Sequence, residues 1–352
     1  MTAMKNNIPL PPYFSFVKQN RTIEQALSIF NQRLQDAETV FKKFSHEFEN
    51  RNCPICGAGD YSSLEPFHKT YGVVKCHQCT SVYVNPCPSY DALNYYYNEC
   101  KCNDVYARLL RSRGKTGSIV LSDRATFLIE LIRKELGKKK HIRILEIGCS
   151  SGAFLSELKT GLEEQELLKN CSLSGIDIDS SAIEKNVDQG LNLYGMSVEN
   201  FSKNTKEKFD LIIHFELVEH LRDPFNFMLS VHKLLLDDGL HHFCTPNMLG
   251  FENIAIGYNE FRPLAHGIFP PMHLHSFTTQ NIIHFSIRSG FKVAQIDTPG
   301  NFDVDIVANA VDGNPDNQFS FISEFTEKQL GIVQHWLKLL SASSHMRCTL
   351  LK

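Results

Sequence analysis

Four short apolar runs, at residues 142–147, 173–177, 210–215 and 239–244, alternate with polar or amphipathic helical sequence, and this rhythm constrains the fold more than any other feature. Apolar strands separated by helical patterns read as βαβ units, and so as a doubly wound α/β domain with a parallel sheet. At 352 residues and 42% hydrophobic, the chain has room for one such domain of about 200 residues plus one or two smaller units.

The first run continues through Gly148, Cys149, Ser150, Ser151 and Gly152 into a helix, and these small residues let a ligand approach the backbone and the helix N-terminus. The turn lacks GxGxxG spacing, so the ligand need not carry a pyrophosphate. The second run ends in Gly175-Ile176-Asp177, a carboxylate positioned to accept hydrogen bonds from ribose hydroxyls.

LEIGCSSG (145–152), GIDID (175–179), FDLIIHFELVEHLRDP (209–224) and CTPN (244–247), in this order, resemble class I S-adenosylmethionine-dependent methyltransferases over about residues 141–300. The resemblance implies a Rossmann-like sheet of order 3-2-1-4-5-7-6 with an antiparallel last strand. Lys292–Asp297 would be the sixth strand and 346–351 the last, with a helical insertion near 324–340. It further implies Glu146 near the amino-acid end of S-adenosylmethionine, Gly148, Cys149, Ser150 and Gly152 beneath it, Asp177 on the ribose and Ile178 against adenine. Val198 or Glu199, in the third element, is the candidate second adenine contact. Intact Gly148, Gly152 and Asp177 weigh against the non-enzyme alternative, a silent binding or assembly module that keeps the fold.

Cys53 and Cys56 have two residues between them, as do Cys76 and Cys79, with nineteen residues between the pairs, the spacing of two knuckles that supply four thiolates to a tetrahedral zinc. Four thiolates close the coordination sphere, so the zinc would be structural; His68 and His77 are then surplus. The paired CxxC motifs, Val82-Tyr83-Val84-Asn85-Pro86, a tyrosine-rich helix and Pro270-Pro271-Met272-His273-Leu274-His275-Ser276-Phe277 resemble zinc-ribbon methyltransferases associated with surface polysaccharides and sugars. That resemblance implies a sugar, sugar nucleotide or related small molecule as acceptor.

Methyl transfer to a hydroxyl needs a proton acceptor beside the methyl group. His220, just past the run at 210–215 and on the rim where doubly wound sheets bind ligands, is the candidate base, oriented by Glu216 or Glu219, with His273 as a further catalytic candidate. A second reading gathers Glu216, Glu219 and His220, with His275 or His273 as the fourth ligand, around a divalent cation, which resembles the ExxEH site of small-RNA 2′-O-methyltransferases and some ubiquinone-pathway enzymes. RNA or protein methylation is the alternative activity, but residues 53–79 lack a basic cluster and the net charge is −3, so no nucleic-acid partner is announced.

The expected organisation is an amphipathic helix within residues 1–50, a zinc ribbon at 51–88, a helical bridge at 89–140 and the catalytic domain at 141–352, with a lid at about 248–277. Apolar residues at 23, 27, 30, 34, 37, 41, 44 and 48 give the first helix a stripe that serves either a homodimer or packing on its own catalytic domain. Tyr258, Arg262 and His266 of the lid are candidates to grip an anionic acceptor, and Ser343-Ser344-His345 reads as a turn into the last strand, with a place near the substrate rim as its alternative. No secretory signal or long apolar span occurs, so the expected compartment is a reducing cytoplasm without membrane attachment.

Overall fold

The computed structural model describes residues 23–102, 115–184, 190–261 and 267–352; Arg262 and His266 of the lid lie outside the described residues. The first helix, α1 (Ile23–Phe44), buries Ala26, Ile29, Phe30, Ala37 and Val40, with Leu34, Phe41 and Phe44 partly buried beside them, so the expected stripe faces inward except at Leu27, which is exposed. This stripe packs on its own chain, against Phe67, Tyr71, Tyr96, Ile268 and Phe269, where Tyr71 also donates its hydroxyl to the Ala37 carbonyl at 2.8 Å. Of the two expected roles, packing on its own chain is the one seen, against the ribbon as well as the lid of the catalytic domain.

The ribbon comprises β1 (Tyr61–Ser63), β2 (Val73–Cys76) and β3 (Val82–Val84), followed by α2 (Tyr90–Glu99), which Ser89 caps by accepting from the Ala92 amide. Its antiparallel sheet takes a fourth strand, β9 (His275–Ser276), from the lid, with Tyr83 opposite His275. Cys53, Ile55, Cys76 and Tyr83 share a continuous apolar core with Phe277, Ile282 and Phe285 of the catalytic domain. The ribbon is thus built into the larger domain, not linked beside it.

Residues 115–136 form α3 (Lys115–Leu131) and a π-type turn (Ile132–Leu136). Next come β4 (Ile142–Ile147), α4 (Ala153–Glu164), β5 (Cys171–Asp177), α5 (Ser180–Glu184), β6 (Asn192–Gly195), α6 (Val198–Asn204), β7 (Phe209–Phe215), α7 (Pro224–Leu234) and β8 (Leu235–Pro246). After α8 (Phe251–Ile256) and β9, α9 (Asn281–Arg288), β10 (Lys292–Asp297), α10 (Asp303–Val311), α11 (Glu327–Leu339) and β11 (His345–Leu351) complete the chain. The main sheet runs β10-β11-β8-β7-β4-β5-β6, with β4 to β8 parallel and β11 antiparallel to both neighbours, which is the expected order 3-2-1-4-5-7-6.

Side chains alternate across this sheet. Ile144, Leu211 and Ile213 meet Leu128, Ile132, Leu155 and Leu158 on one face, while Leu145, Ile212 and Phe243 meet Phe201, Phe227, Val231 and Phe285 on the other. Each fully buried Leu, Ile or Phe here contributes about 1.5–3 kcal/mol. Because α3 supplies part of this core, the last part of the expected 89–140 bridge belongs to the catalytic layers. A satellite core joins α8, α10 and α11 through Ala255, Val304, Val307 and Leu330. Among the described residues, no helix is long and apolar enough to cross a membrane.

Candidate active site

The C-terminal ends of the parallel strands form one rim, and because β11 is antiparallel it starts there, with His345 opposite Pro246. At the end of β4 the chain turns with Gly148, Ser150 and Gly152 all in the left-handed region, at φ 77°, 49° and 79°. The amides of Gly148 and Cys149 both donate to the Ile176 carbonyl, at 2.8 and 3.2 Å, which seats the loop on β5. A Cβ on Gly175 would lie 2.7 Å from the Cys149 sulfur, so this glycine makes room for the inward-turned Cys149 thiol, which burial pushes up to about 12.

Asp177 holds the loop as well as ending the strand: its carboxylate accepts from the Ser150 amide and the Asp179 amide, both at 2.8 Å. Glu146 is buried, its Oε2 accepts no hydrogen bond, and burial pushes its carboxyl up to about 8. Such an orphaned acceptor beneath a glycine turn suits a cationic amino group. Ile178 stands 77% exposed on the rim, a large apolar side chain without a cover, whereas Val198 points into the core beside Phe201. Glu199 lies in the first turn of α6, partly buried.

Beyond β7, Glu216 adopts φ 49°, a left-handed conformation that is strained for a non-glycine residue. Its carboxylate lies 3.4 Å from both Arg124 Nη2 and His345 Nε2. Burial alone would raise the Glu216 carboxyl, but the charge and hydrogen bond of His345, with Arg124 beyond, bring it down to about 2. Burial opposes protonation of His345 likewise, yet Glu216 lifts it to about 9.

Glu219 and His220 occupy a single 3-10 turn, Val218–His220. Glu219 is fully buried; its Oε2 accepts from the Thr245 hydroxyl at 2.9 Å, and its Oε1 accepts no hydrogen bond. Burial, then the charge of Glu216, pushes the Glu219 carboxyl well up. His220 Nδ1 lies 3.0 Å from the Met272 carbonyl, which can only accept, so the neutral ring that satisfies this contact has its proton on Nδ1; burial pushes the imidazole down to about 4, against the charge of Glu216 and backbone contacts with Met272 and Glu216. The Tyr97 hydroxyl oxygen shares that proton at 3.2 Å. His220 Nε2 faces Glu219 Oε1 at 3.9 Å, and the His273 ring stands edge-on to it at 4.6 Å.

Ligand atoms of Glu219, His220 and His273 lie within 4.8 Å of one another, a spacing compatible with one cation. Of the expected set, Glu216, Glu219 and His220 with His273 or His275, the residues that converge are Glu219, His220 and His273. His275 is fixed in β9, with Nε2 donating to the Val218 carbonyl at 2.8 Å, and Glu216 is engaged by Arg124 and His345. Arg124, Thr245, Tyr97 and His345 complete the site. Of these, the sequence marked only His345 as near the rim and Tyr97 as part of a tyrosine-rich helix. Tyr258 of the lid donates its hydroxyl to the Glu65 carbonyl on the ribbon.

The sulfurs of Cys53, Cys56, Cys76 and Cys79 lie within 4.8 Å of one another, with Cys53 to Cys79 and Cys56 to Cys76 each at 3.5 Å. Thiolates around tetrahedral zinc, at about 2.3 Å from the metal, stand close to this far apart. The two knuckles have matching turns: the Gly57 amide donates to the Cys53 carbonyl, and the Thr80 amide to the Cys76 carbonyl.

Residues 120–296, half of the chain, match the family model described as methyltransferase domain. The ubiquinone biosynthesis O-methyltransferase of Actinobacillus pleuropneumoniae serotype 5b is 30% identical over 115 residues, covering 30% of this chain and 46% of that protein. The enzyme of the same name from Glaesserella parasuis serovar 5 is 32% identical over 115 residues, covering 30% and 45%. The chain thus spans less than half the length of these curated relatives. Among solved structures, the plantazolicin methyltransferase BamL, in complex with a triazolic desmethylPZN analog and SAH, aligns at TM-score 0.47 and 15% identity over 74% of this chain and 93% of its own. A SAM-dependent methyltransferase from Archaeoglobus fulgidus aligns at TM-score 0.39 and 14% identity, covering 65% and 94%. With a strand order that the motifs foreshadowed and a family match running from α3 to β10, this chain belongs to the class I S-adenosylmethionine-dependent methyltransferases.

Proposed function

We propose that the protein transfers the methyl group of S-adenosylmethionine to a hydroxyl oxygen of a sugar, sugar nucleotide or related small molecule, with His220 as general base. The observation that carries this reading is the Nδ1 bond of His220 to the Met272 carbonyl, which leaves Nε2 as a proton acceptor on the ligand rim. Bound S-adenosylmethionine supplies a methyl group already activated by its sulfonium charge. Glu146 Oε2 would receive the amino group, the 148–152 turn would lie beneath the cofactor, Asp177 would hold the ribose and Ile178 would cover adenine. His220 Nε2 would take the acceptor proton, and the ionised carboxylate of Glu216, whose charge favours protonation of His220, would stabilise the imidazolium that forms. Oxygen as the methylated atom is supported by the names of the curated relatives, which are O-methyltransferases. The sugar class is supported by the zinc-ribbon resemblance, with zinc proposed at Cys53, Cys56, Cys76 and Cys79.

The convergence of Glu219, His220 and His273 favours one second reading, a divalent cation that lowers the acceptor hydroxyl's pKa. Screening hydroxylated acceptors, sugar nucleotides first, with methyl-labelled S-adenosylmethionine tests the reaction, and metal analysis of the active protein separates the readings. Label in an ether-linked methyl with one zinc per chain supports the base. A required second metal supports the cation, and label transferred only to RNA or protein would overturn the small-molecule reading.

A further inference from the structure

We propose that Arg51 is a positioning residue for His220, and that through it the ribbon is a working part of the active site. The proposal rests on the reading of His220 as the base. Arg51 stands two residues before Cys53, on the edge of the first knuckle, and its own amide donates to Asn85 Oδ1 at 2.9 Å. Its guanidinium reaches out of the ribbon: Nη1 donates to the Arg222 carbonyl at 2.8 Å and Nη2 to the Leu274 carbonyl at 3.3 Å. Its Nε is buried and makes no hydrogen bond.

A guanidinium enclosed among carbonyls, one N–H unsatisfied, is poorly repaid for its lost hydration, so stability alone does not account for it. What a planar fork does supply is a fixed separation between two acceptors. Here the two acceptors belong to the segments that carry the catalytic histidines. The Arg222 carbonyl follows the turn bearing Glu219 and His220, and Leu274 follows His273. The same two segments are cross-tied by the Leu274 amide to the Glu219 carbonyl at 2.9 Å and by His275 Nε2 to the Val218 carbonyl at 2.8 Å. The ribbon's Val84 amide holds the Leu274 carbonyl from the other side at 2.8 Å. The Nδ1 bond from His220 to the Met272 carbonyl spans these segments and so depends on their spacing.

The test uses the zinc-loaded full chain labelled with nitrogen-15 at histidine, without an acceptor. Imidazole correlation spectra read the tautomer of His220, assigned with a His220→Gln variant, and calorimetry with S-adenosylhomocysteine reads the cofactor site. In the parent protein His220 should show the pure Nδ1–H pattern. Arg51→Met should move it toward the averaged pattern of a free imidazole, with S-adenosylhomocysteine affinity unchanged within about twofold, and Arg51→Lys should restore most of the parent pattern. An unchanged His220 signal in folded Arg51→Met overturns the proposal, as does a general loss of dispersion together with cofactor affinity. The base reading fails separately: in a parallel assay with acceptor, His220→Ala would keep its turnover while Arg51→Met still freed the tautomer.

Discussion

His214 on β7 and His241 on β8 lie fully buried among Phe227, Phe243 and Phe291, and neither ring nitrogen of either residue makes a hydrogen bond. Burial pushes His241 down to about 3, whereas in the unfolded chain it titrates near 6.5. The unfolded state therefore takes up the proton first. Stability is complete above pH 6.5 and falls as the pH drops toward about 3, by 1.36 kcal/mol per pH unit for one such group. At pH 5 this amounts to about 2 kcal/mol for His241, a large fraction of a typical domain stability. Phenylalanine keeps the ring's stacking and removes the proton site, so His241→Phe should lose about 2 kcal/mol less than the parent between pH 7 and pH 5. Urea unfolding of both proteins at pH 7, 6 and 5 measures this double difference, in which carboxylates and zinc thiolates common to both cancel. Equal losses in the two proteins would refute the claim that His241 stays neutral in the fold.

Two further outcomes follow from the site and the ribbon. His220→Ala should leave S-adenosylhomocysteine binding intact and lower turnover by roughly 10²- to 10⁴-fold, as expected for loss of a general base; a matched loss of affinity would assign the residue to the cofactor site instead. Chelation should release one zinc per chain, read by a colorimetric indicator. Because β9 pairs with β3, it should abolish methyl transfer before it weakens S-adenosylhomocysteine binding, with the reverse order contradicting the structural role of the metal.

The parallel sheet was legible because its strands are continuously apolar and its helices amphipathic, so local pattern and tertiary burial agree. The short edge strand β6 escaped because Asn192–Gly195 is half exposed and carries no such pattern. The tight glycine turn after β4 and the carboxylate ending β5 were legible as local features, but not the inward turn of Cys149 or Val198, which is decided by what β5 and α6 pack against. Glu219 and His220 sit together in the sequence, whereas their partner among the lid histidines depends on strand register. Pairing of β9 with β3 sets His275 against Tyr83 and leaves His273 for the site, and no local signal encodes that choice. The stripe of α1 was visible as a stripe. Its partner was not, because a heptad pattern describes a face and not what covers it.

Calorimetric titration of the zinc-loaded protein with S-adenosylhomocysteine, repeated with Asp177→Ala, tests the cofactor site most directly. The Asp177 carboxylate both seats the Ser150 amide and faces the expected ribose, so saturable one-to-one binding should weaken by about tenfold or more in the variant. No binding to the folded parent protein, or equal affinity in the two, would contradict it.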